Sequence, residues 1–244
     1  MKLFLLGHAG GSPGTYVPRL ASLARRLELI PLDLPGHGRR IDEPLVETVP
    51  DMVADLRHQL RPFFQGKGER YALFGHSMGG LLAFALQLSL AAERRYPLAE
   101  HLFVSSTCFP GRHHIPAELP HLADRELWFK SAAYFSGISQ EVAASSELMA
   151  LFAPILRADL KAVLAWSPRE IEPVPVPLTV MAGKADIVNR KDLEFWRNYT
   201  TRSFSAHLLP GNHFHLLDNP RAVAALVLSS LPTLKDSLGN PLFP

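Results

Sequence analysis

The chain has 244 residues, of which 20% are charged and 47% belong to the hydrophobic set, and its formal net charge is +2. These proportions fit one folded domain with a sizeable core, exclude a disordered chain, and give no nucleic-acid footprint, although a pI near 8.8 leaves a mildly basic surface for an acidic partner. Cys108 is the only cysteine, which excludes an internal disulfide and fits the reducing cytoplasm.

Residues 2–7 form an apolar run that reads as the first strand. It is too short for the apolar core and cleavage site of a signal peptide, and no later run reaches the length of a membrane span. The strand ends in Gly7-His8-Ala9-Gly10-Gly11-Ser12-Pro13-Gly14, a turn whose backbone N–H groups can converge on one small anion. It is neither a Walker loop nor a GxGxxG fingerprint, and neither a cofactor nor a metal is expected. It resembles the HGGG-type turn that offers an oxyanion donor beside a nucleophilic serine, here the N–H of Ala9; an ordinary strand-to-helix turn is the alternative.

Residues 16–27 place Leu20, Leu23 and Leu27 on one side and Arg19, Arg25 and Arg26 largely elsewhere, which predicts an amphipathic helix. A strand is expected over 29–34, ending at the loop Pro35-Gly36-His37-Gly38-Arg39-Arg40. Thr48 is the expected N-cap of a helix with Pro50 in its first turn and an apolar face of Met52, Val53, Leu56, Leu60 and Phe63. Gly66-Lys67-Gly68 closes that unit.

The segment 71–86 organises the rest. Residues 71–74 read as a buried strand, Gly75-His76-Ser77-Met78-Gly79 is a GxSxG pentapeptide, and a Leu/Ala-rich helix follows at once. The bare pentapeptide arises by chance in roughly one chain in ten of this length, so the strand before it and the helix after it carry the reading. At such a strand–turn–helix, Ser77 is held exposed at the edge of a sheet, and glycines at 75 and 79 let strand and helix approach. The N–H of Met78 lies at the start of the helix, where partial positive charge favours an oxyanion.

A strand is expected over 101–106. From Cys108 to Arg169 no strand pattern appears, and helical stretches are expected around 124–135, 139–152 and 154–166. One crossover does not need sixty residues, so 108–169 is expected to be a helical lid inserted over Ser77, on a core made of 1–107 and 170–244. Most of its large apolar residues, among them Trp128, Phe135 and Met149, are expected to form the lid's own core. The stiff Pro173-Val174-Pro175-Val176-Pro177 returns to a strand over 178–182, which ends in Gly183-Lys184-Ala185-Asp186. The last strand, 204–209, leads into Pro210-Gly211-Asn212-His213-Phe214-His215. Asn219 and Pro220 are expected to cap a closing helix through residue 231, with a loosely held tail to 244.

Strands and helices alternating in this way predict an α/β fold with a parallel sheet and chemistry at the carboxyl ends of its strands. A serine hydroxyl needs a base to take its proton, and the base needs a carboxylate to fix its tautomer. On such a sheet the order is Ser, acid, His, and Asp186 and His213 each follow a strand in that order after Ser77. Asp192, Asp218 and His207 are poorer placed. His215 is the competitor for the base, two residues from His213; His213 is preferred because it directly follows the Gly-Asn turn.

The motifs His8-Ala9-Gly10-Gly11, Leu34-Pro35-Gly36-His37-Gly38-Arg39-Arg40, Gly75-His76-Ser77-Met78-Gly79-Gly80, Leu156-Arg157-Ala158-Asp159, the segment 183–186 and Gly211-Asn212-His213-Phe214 together resemble the type II thioesterases. These are stand-alone α/β-hydrolases of polyketide synthase and non-ribosomal peptide synthetase pathways, and the likeness covers nearly the whole chain. The resemblance implies an α/β-hydrolase fold with a mostly parallel sheet of about six or seven strands. It implies Ser77, Asp186 and His213 as the triad and the N–H groups of Ala9 and Met78 as the oxyanion hole. It also implies hydrolysis of stalled or incorrect acyl groups from the phosphopantetheine arm of acyl or peptidyl carrier proteins, by a cytoplasmic monomer. Three departures stand out: the family commonly has a longer amino-terminal lead-in, which predicts a smaller sheet here, Asn212 replaces a usual Gly, and His215 replaces a common aromatic. A serine esterase or acyltransferase acting on a free small molecule, and a binding protein on the same fold, are the competing readings.

Overall fold

In the computed structural model, residues 1–64, 70–94, 96–136, 144–168 and 170–231 are described. Among the described residues six strands form one sheet: β1 (Lys2–Leu6), β2 (Glu28–Pro31), β3 (Tyr71–His76), β4 (His101–Ser105), β5 (Leu178–Gly183) and β6 (Phe204–Leu209). Their order is β2-β1-β3-β4-β5-β6 and every pairing is parallel. The two inner strands β3 and β4 are buried along their whole length, which is why they read as continuous apolar runs rather than alternating ones.

The period-2 alternation divides those strands between two cores. Phe4, Leu6, Leu73 and Val104 pack on one face with Met52, Leu56 and Leu60 of α2 (Val49–Leu60) and Leu82, Phe84 and Leu86 of α3 (Met78–Glu93). On the other face, Leu3, Leu5, Phe74 and Phe103 meet Tyr16 of α1 (Tyr16–Arg19) and Val223 and Val227 of the closing helix Pro220–Ser230. The sheet's winding reverses between β1 and β3, and ligands gather at such switch points outside the carboxyl ends of the strands. β1 delivers the glycine turn there and β3 delivers Ser77, so topology alone brings those two segments side by side.

A third cluster lies between α4 (Asp124–Phe135) and α5 (Ser146–Ala165): Leu119, Leu127, Trp128, Met149, Ala153, Leu156 and Leu160 pack together, with Ala9 of the glycine turn against them. Trp128 and Met149 are thus core residues of this segment, while Phe129, Leu148 and Leu151 are exposed.

Several local elements differ from expectation. Residues 16–27 are not one helix: α1 is flanked by 3₁₀ turns at Pro13–Thr15 and Ala21–Arg25. Leu20 (φ −95°, ψ 20°) interrupts the helical ladder, and a spacing of three buries Leu20 and Leu23 on a 3₁₀ turn as well as on an α-helix. The second strand stops at Pro31. The helical stretches expected over 139–152 and 154–166 are, where described, one helix, α5, which runs through Pro154. Proline there removes a bond to the Ala150 carbonyl; Ala150 and Pro154 both lie on the exposed side, where water can serve that carbonyl. Thr48 caps α2 as expected, its Oγ1 accepting from the Asp51 N–H at 3.2 Å. Asn219 sits at the N-cap position of the closing helix, yet its side chain donates to the Pro210 carbonyl at 3.0 Å instead of capping. The turn at 66–68, part of the 139–152 stretch and the tail lie outside the described residues.

Candidate active site

Ser77 stands between β3 and α3 at φ 54° and ψ −121°, a conformation rarely taken by a residue with a Cβ. Four backbone-directed bonds hold it there. Its N–H donates to the Ser105 carbonyl at 2.7 Å, and its carbonyl accepts from Gly80 N–H at 2.9 Å, from Leu81 N–H at 3.4 Å and from Thr107 Oγ1 at 2.8 Å. The turn also depends on two glycines. A Cβ at position 75 would lie 2.0 Å from the Gly79 carbonyl oxygen, and one at position 79 would lie 2.3 Å from that of Leu6.

The three side chains expected from chain order come together. His213 Nε2 is 3.0 Å from Ser77 Oγ, and its Nδ1 is 2.9 Å from Asp186 Oδ1. Asp186 is fully buried at its side chain and His213 nearly so. Burial pushes the Asp186 carboxyl up, but the hydrogen bond and charge of His213, with the Val188 N–H, outweigh it and hold the group below the usual carboxylate range.

His215 makes no hydrogen bond to the serine hydroxyl. Two helices follow α5 before the closing one, α6 (Arg190–Phe195) and the short α7 (His215–Asp218), and His215 opens the second of them, completely buried. Its Nδ1 lies 3.3 Å from Ser106 Oγ and its Nε2 3.4 Å from Ser105 Oγ. Burial first, and the neighbouring His213 charge, push it down to about 4 despite the opposing pull of Asp186. The loop that leads to the two histidines turns on Gly211 at φ 112°. Asn212 then fixes it from both ends of its amide: Oδ1 accepts from Phe214 N–H at 2.9 Å and Nδ2 donates to the Ser136 carbonyl at 3.0 Å. The remaining rivals lie elsewhere: Asp192 is buried against Arg112 and His114, Asp218 is exposed on α7, and His207 lies within β6.

Ala9 and Met78 both line the cavity in front of Ser77, and neither backbone N–H donates to an acceptor among the described residues. The Met78 N–H is the first of a sixteen-residue helix, with the partial positive charge of that end behind it. The glycine turn is braced by His8, whose N–H and Nδ1 lie 3.1 and 2.6 Å from Tyr16 Oη.

The cavity measures about 310 Å³, and Leu81, Trp128, Phe135, Phe152, Leu156 and Val188 supply much of its wall. That is a predominantly apolar pocket at the small end of the range for small-molecule sites, about 300–1,000 Å³. Cys108 also borders it, but burial, then the Asp192 charge, push its thiol up to about 12, so it does not present a thiolate at neutral pH. Ligand atoms of Cys108, His114 and Asp192 lie within 4.8 Å of one another. Asp192 is already taken up by Arg112, by His114 and by the N–H of Asn189, so a cation there would have to displace a guanidinium.

Sequence reasoning gave Thr107 no role, placed Phe135 among the aromatics of the lid's own core, and noted Asn212 only as the turn before His213 and a departure from the family pattern. It also did not pair Asp159 with anything, although an aspartate inside the apolar run of α5 is a signal that a buried partner waits for it.

A parallel sheet with a strained serine elbow, a buried Asp–His pair and two backbone donors lining the cavity defines a serine hydrolase of the α/β-hydrolase fold. A family model described as the thioesterase domain matches residues 1–231. The medium-chain S-acyl fatty acid synthase thioesterase of Homo sapiens is 34% identical over 197 residues, 79% of this chain and 72% of that protein. Among solved structures, RedJ, a thioesterase from the prodiginine biosynthetic pathway in Streptomyces coelicolor, matches with a TM-score of 0.85 and 30% identity, covering 95% of this chain and 90% of that one. The type II thioesterase BorB from the borrelidin biosynthetic cluster matches at 0.81 and 29%, covering 94% and 92%. The chain belongs to the thioesterase family, and the type II likeness carried by its motifs extends over the fold. It is a hydrolase of thioesters. Among the described residues no helix is long and apolar enough to cross a membrane.

Proposed function

We propose that this thioesterase removes acyl groups, stalled or incorrect, from the phosphopantetheine arm of acyl or peptidyl carrier proteins, through an acyl-serine intermediate, as a monomer in the cytoplasm. The observation that carries the reading is the continuous line Asp186–His213–Ser77, with contacts of 2.9 and 3.0 Å, opening onto an apolar cavity. The likeness to enzymes of biosynthetic clusters supports the carrier-protein substrate.

In this reading Ser77 Oγ attacks the thioester carbonyl carbon and passes its proton to His213 Nε2. The N–H groups of Met78 and Ala9 hold the oxyanion. Collapse breaks the C–S bond, and the pantetheine sulfur leaves with the proton from His213. Water then gives a proton to His213 and attacks the acyl-serine; the carboxylic acid departs and Ser77 regains its proton. Asp186 keeps the imidazole in the tautomer that accepts at Nε2. Residues 108–169 act as the lid that shapes room for the acyl chain, on a core formed by 1–107 and 170–244.

Intact-protein mass spectrometry of acyl carrier proteins, before and after incubation, tests the substrate. Loss of the acyl mass is expected, with turnover of carrier-bound substrate exceeding that of a free acyl ester. Because docking onto a carrier is partly electrostatic, apparent affinity for the carrier is expected to fall with salt while hydrolysis of a small ester hardly changes. Equal turnover and equal salt response on both substrates would favour an esterase of free small molecules.

A further inference from the structure

Asp159, the last residue of the Leu156-Arg157-Ala158-Asp159 segment, has no part in the triad, yet it is fully buried. Its Oδ2 accepts from the Gly10 N–H at 2.7 Å and lies 2.9 Å from His37 Nε2. The other ring nitrogen of His37, Nδ1, is 3.0 Å from the Pro35 carbonyl. With Asp159 ionised, both ring nitrogens face acceptors, so both donate and His37 is an imidazolium. Burial pulls His37 down, but Asp159 and the Pro35 carbonyl outweigh it and hold the ring above its usual range. Three distant segments thus meet at one carboxylate: α5, the glycine turn after β1, and the loop after β2.

The same helix also packs on the turn. Leu156, one turn before Asp159, lies against Gly10, where an added Cβ would come within 3.2 Å of the Leu156 Cβ, and Gly10 holds φ 75°. Ala9 in turn packs against the cluster that includes Leu156 and Leu160. Ala9, which lines the cavity and whose N–H has no acceptor among the described residues, is therefore flanked by its neighbour's bond to Asp159 and by the apolar side of α5. A buried carboxylate whose Oδ1 has no partner among the described residues is a costly way to join a helix to a loop, since an apolar contact would do.

We propose that Asp159, held by the His37 imidazolium, is a positioning residue that sets the direction of the Ala9 N–H, so that the oxyanion hole is complete only while α5 is seated on the glycine turn. This rests on the reading of Ala9 as an oxyanion donor. It gives α5 a role beyond covering the acyl chain: the helix that admits substrate also assembles one of the two donors that the reaction uses.

The test uses the full chain with Asp159→Ala, Asp159→Asn and His37→Gln, each normalised to active sites titrated with a serine-directed phosphonate. Two quantities are read: kcat and KM for an acyl N-acetylcysteamine thioester, and the affinity of a trifluoromethyl ketone, which forms an oxyanion on Ser77. For Asp159→Ala, kcat per titrated site is expected to fall on the order of 10- to 100-fold, with KM nearly unchanged and the ketone weakened by a similar factor. Asp159→Asn keeps an oxygen for the Gly10 N–H and should recover part of both losses. His37→Gln, which leaves Asp159 in place, should lower both by less, and it serves if Asp159→Ala fails to fold. Turnover per site and ketone affinity equal to the parent's in any variant that folds, or a loss confined to KM, would overturn the proposal. Hydrolysis surviving in Ser77→Ala would instead overturn the triad reading itself, an outcome that the Asp159 variants cannot mimic.

Discussion

The ring of Phe135, the last residue of α4, lies 5.0 Å from the imidazole of His213. One residue later the Ser136 carbonyl accepts from Asn212, so the loop that carries His213 and the end of α4 are joined by a ring contact and a hydrogen bond. His213 is thereby walled by the helical segment that also lines the cavity.

Phe135→Ala should therefore enlarge the cavity beside His213 and shift chain-length preference toward longer acyl groups. Each buried methylene contributes about 0.8 kcal/mol, so neighbouring chain lengths should differ by several-fold rather than absolutely. Activity on the best substrate should fall less than the preference moves. A series of kcat/KM values across acyl lengths checks this; an unaltered ranking would leave Phe135 as packing only.

Two histidines two residues apart should behave very differently. Ser77→Ala and His213→Ala are expected to lose activity by several orders of magnitude and to similar extents, because the two act as a unit. His215→Ala should keep most of the activity of its folded fraction. Its cost should fall on stability instead, about 1–3 kcal/mol, since Ser105 and Ser106 lose a buried partner. Turnover together with urea denaturation of the three variants separates the two effects.

The buried imidazoles predict the acid limb of stability. Burial, the largest cause in each, pushes His8, His101 and His215 down to about 4 and His76 well down. Between about pH 6.5 and 4 their unfolded forms bind protons that the folded forms do not, so stability is full above 6.5 and is lost as pH falls through this window. Each group contributes up to about 1.4 kcal/mol per pH unit. His37 has the opposite sign: its stabilisation is complete below 6.5 and declines as pH rises through its raised folded value. The Asp186 share, depressed in the fold, is lost only lower, below the ordinary carboxylate range. Urea midpoints from pH 8 to 4 should fall most steeply between 6.5 and 4; a flat profile there would contradict the neutral buried state of these rings.

Gly79→Ala should test the elbow without touching the side chains of Ser77, Asp186 or His213. The added methyl would meet the Leu6 carbonyl oxygen at 2.3 Å, so α3 must move away from β1 and carry Ser77 with it. Overpacking of this kind costs typically about 1–3 kcal/mol. A drop in thermal midpoint accompanied by slow phosphonate labelling of Ser77 is expected; wild-type labelling would mean that the elbow absorbs the methyl.

What the sequence by itself determined was local or periodic. The apolar run 71–74, the glycines around Ser77 and the helix behind it specify an elbow because only that backbone satisfies their sterics. Asp186 and His213 were legible because each follows a strand, and parallel strands deliver their carboxyl ends to one edge. The sequence favoured His213 over His215 for its place directly after Gly211-Asn212, but what holds that loop facing the serine is tertiary, since Asn212 answers to Ser136, 76 residues away. The tertiary structure decided that Pro154 stays inside a helix, because its exposed side lets water replace the missing bond to Ala150. It also joined Asp159 to Gly10 and His37 across 149 and 122 residues. A buried aspartate announces that it needs a partner, but which partner it finds depends on how distant segments pack, and no local pattern encodes that.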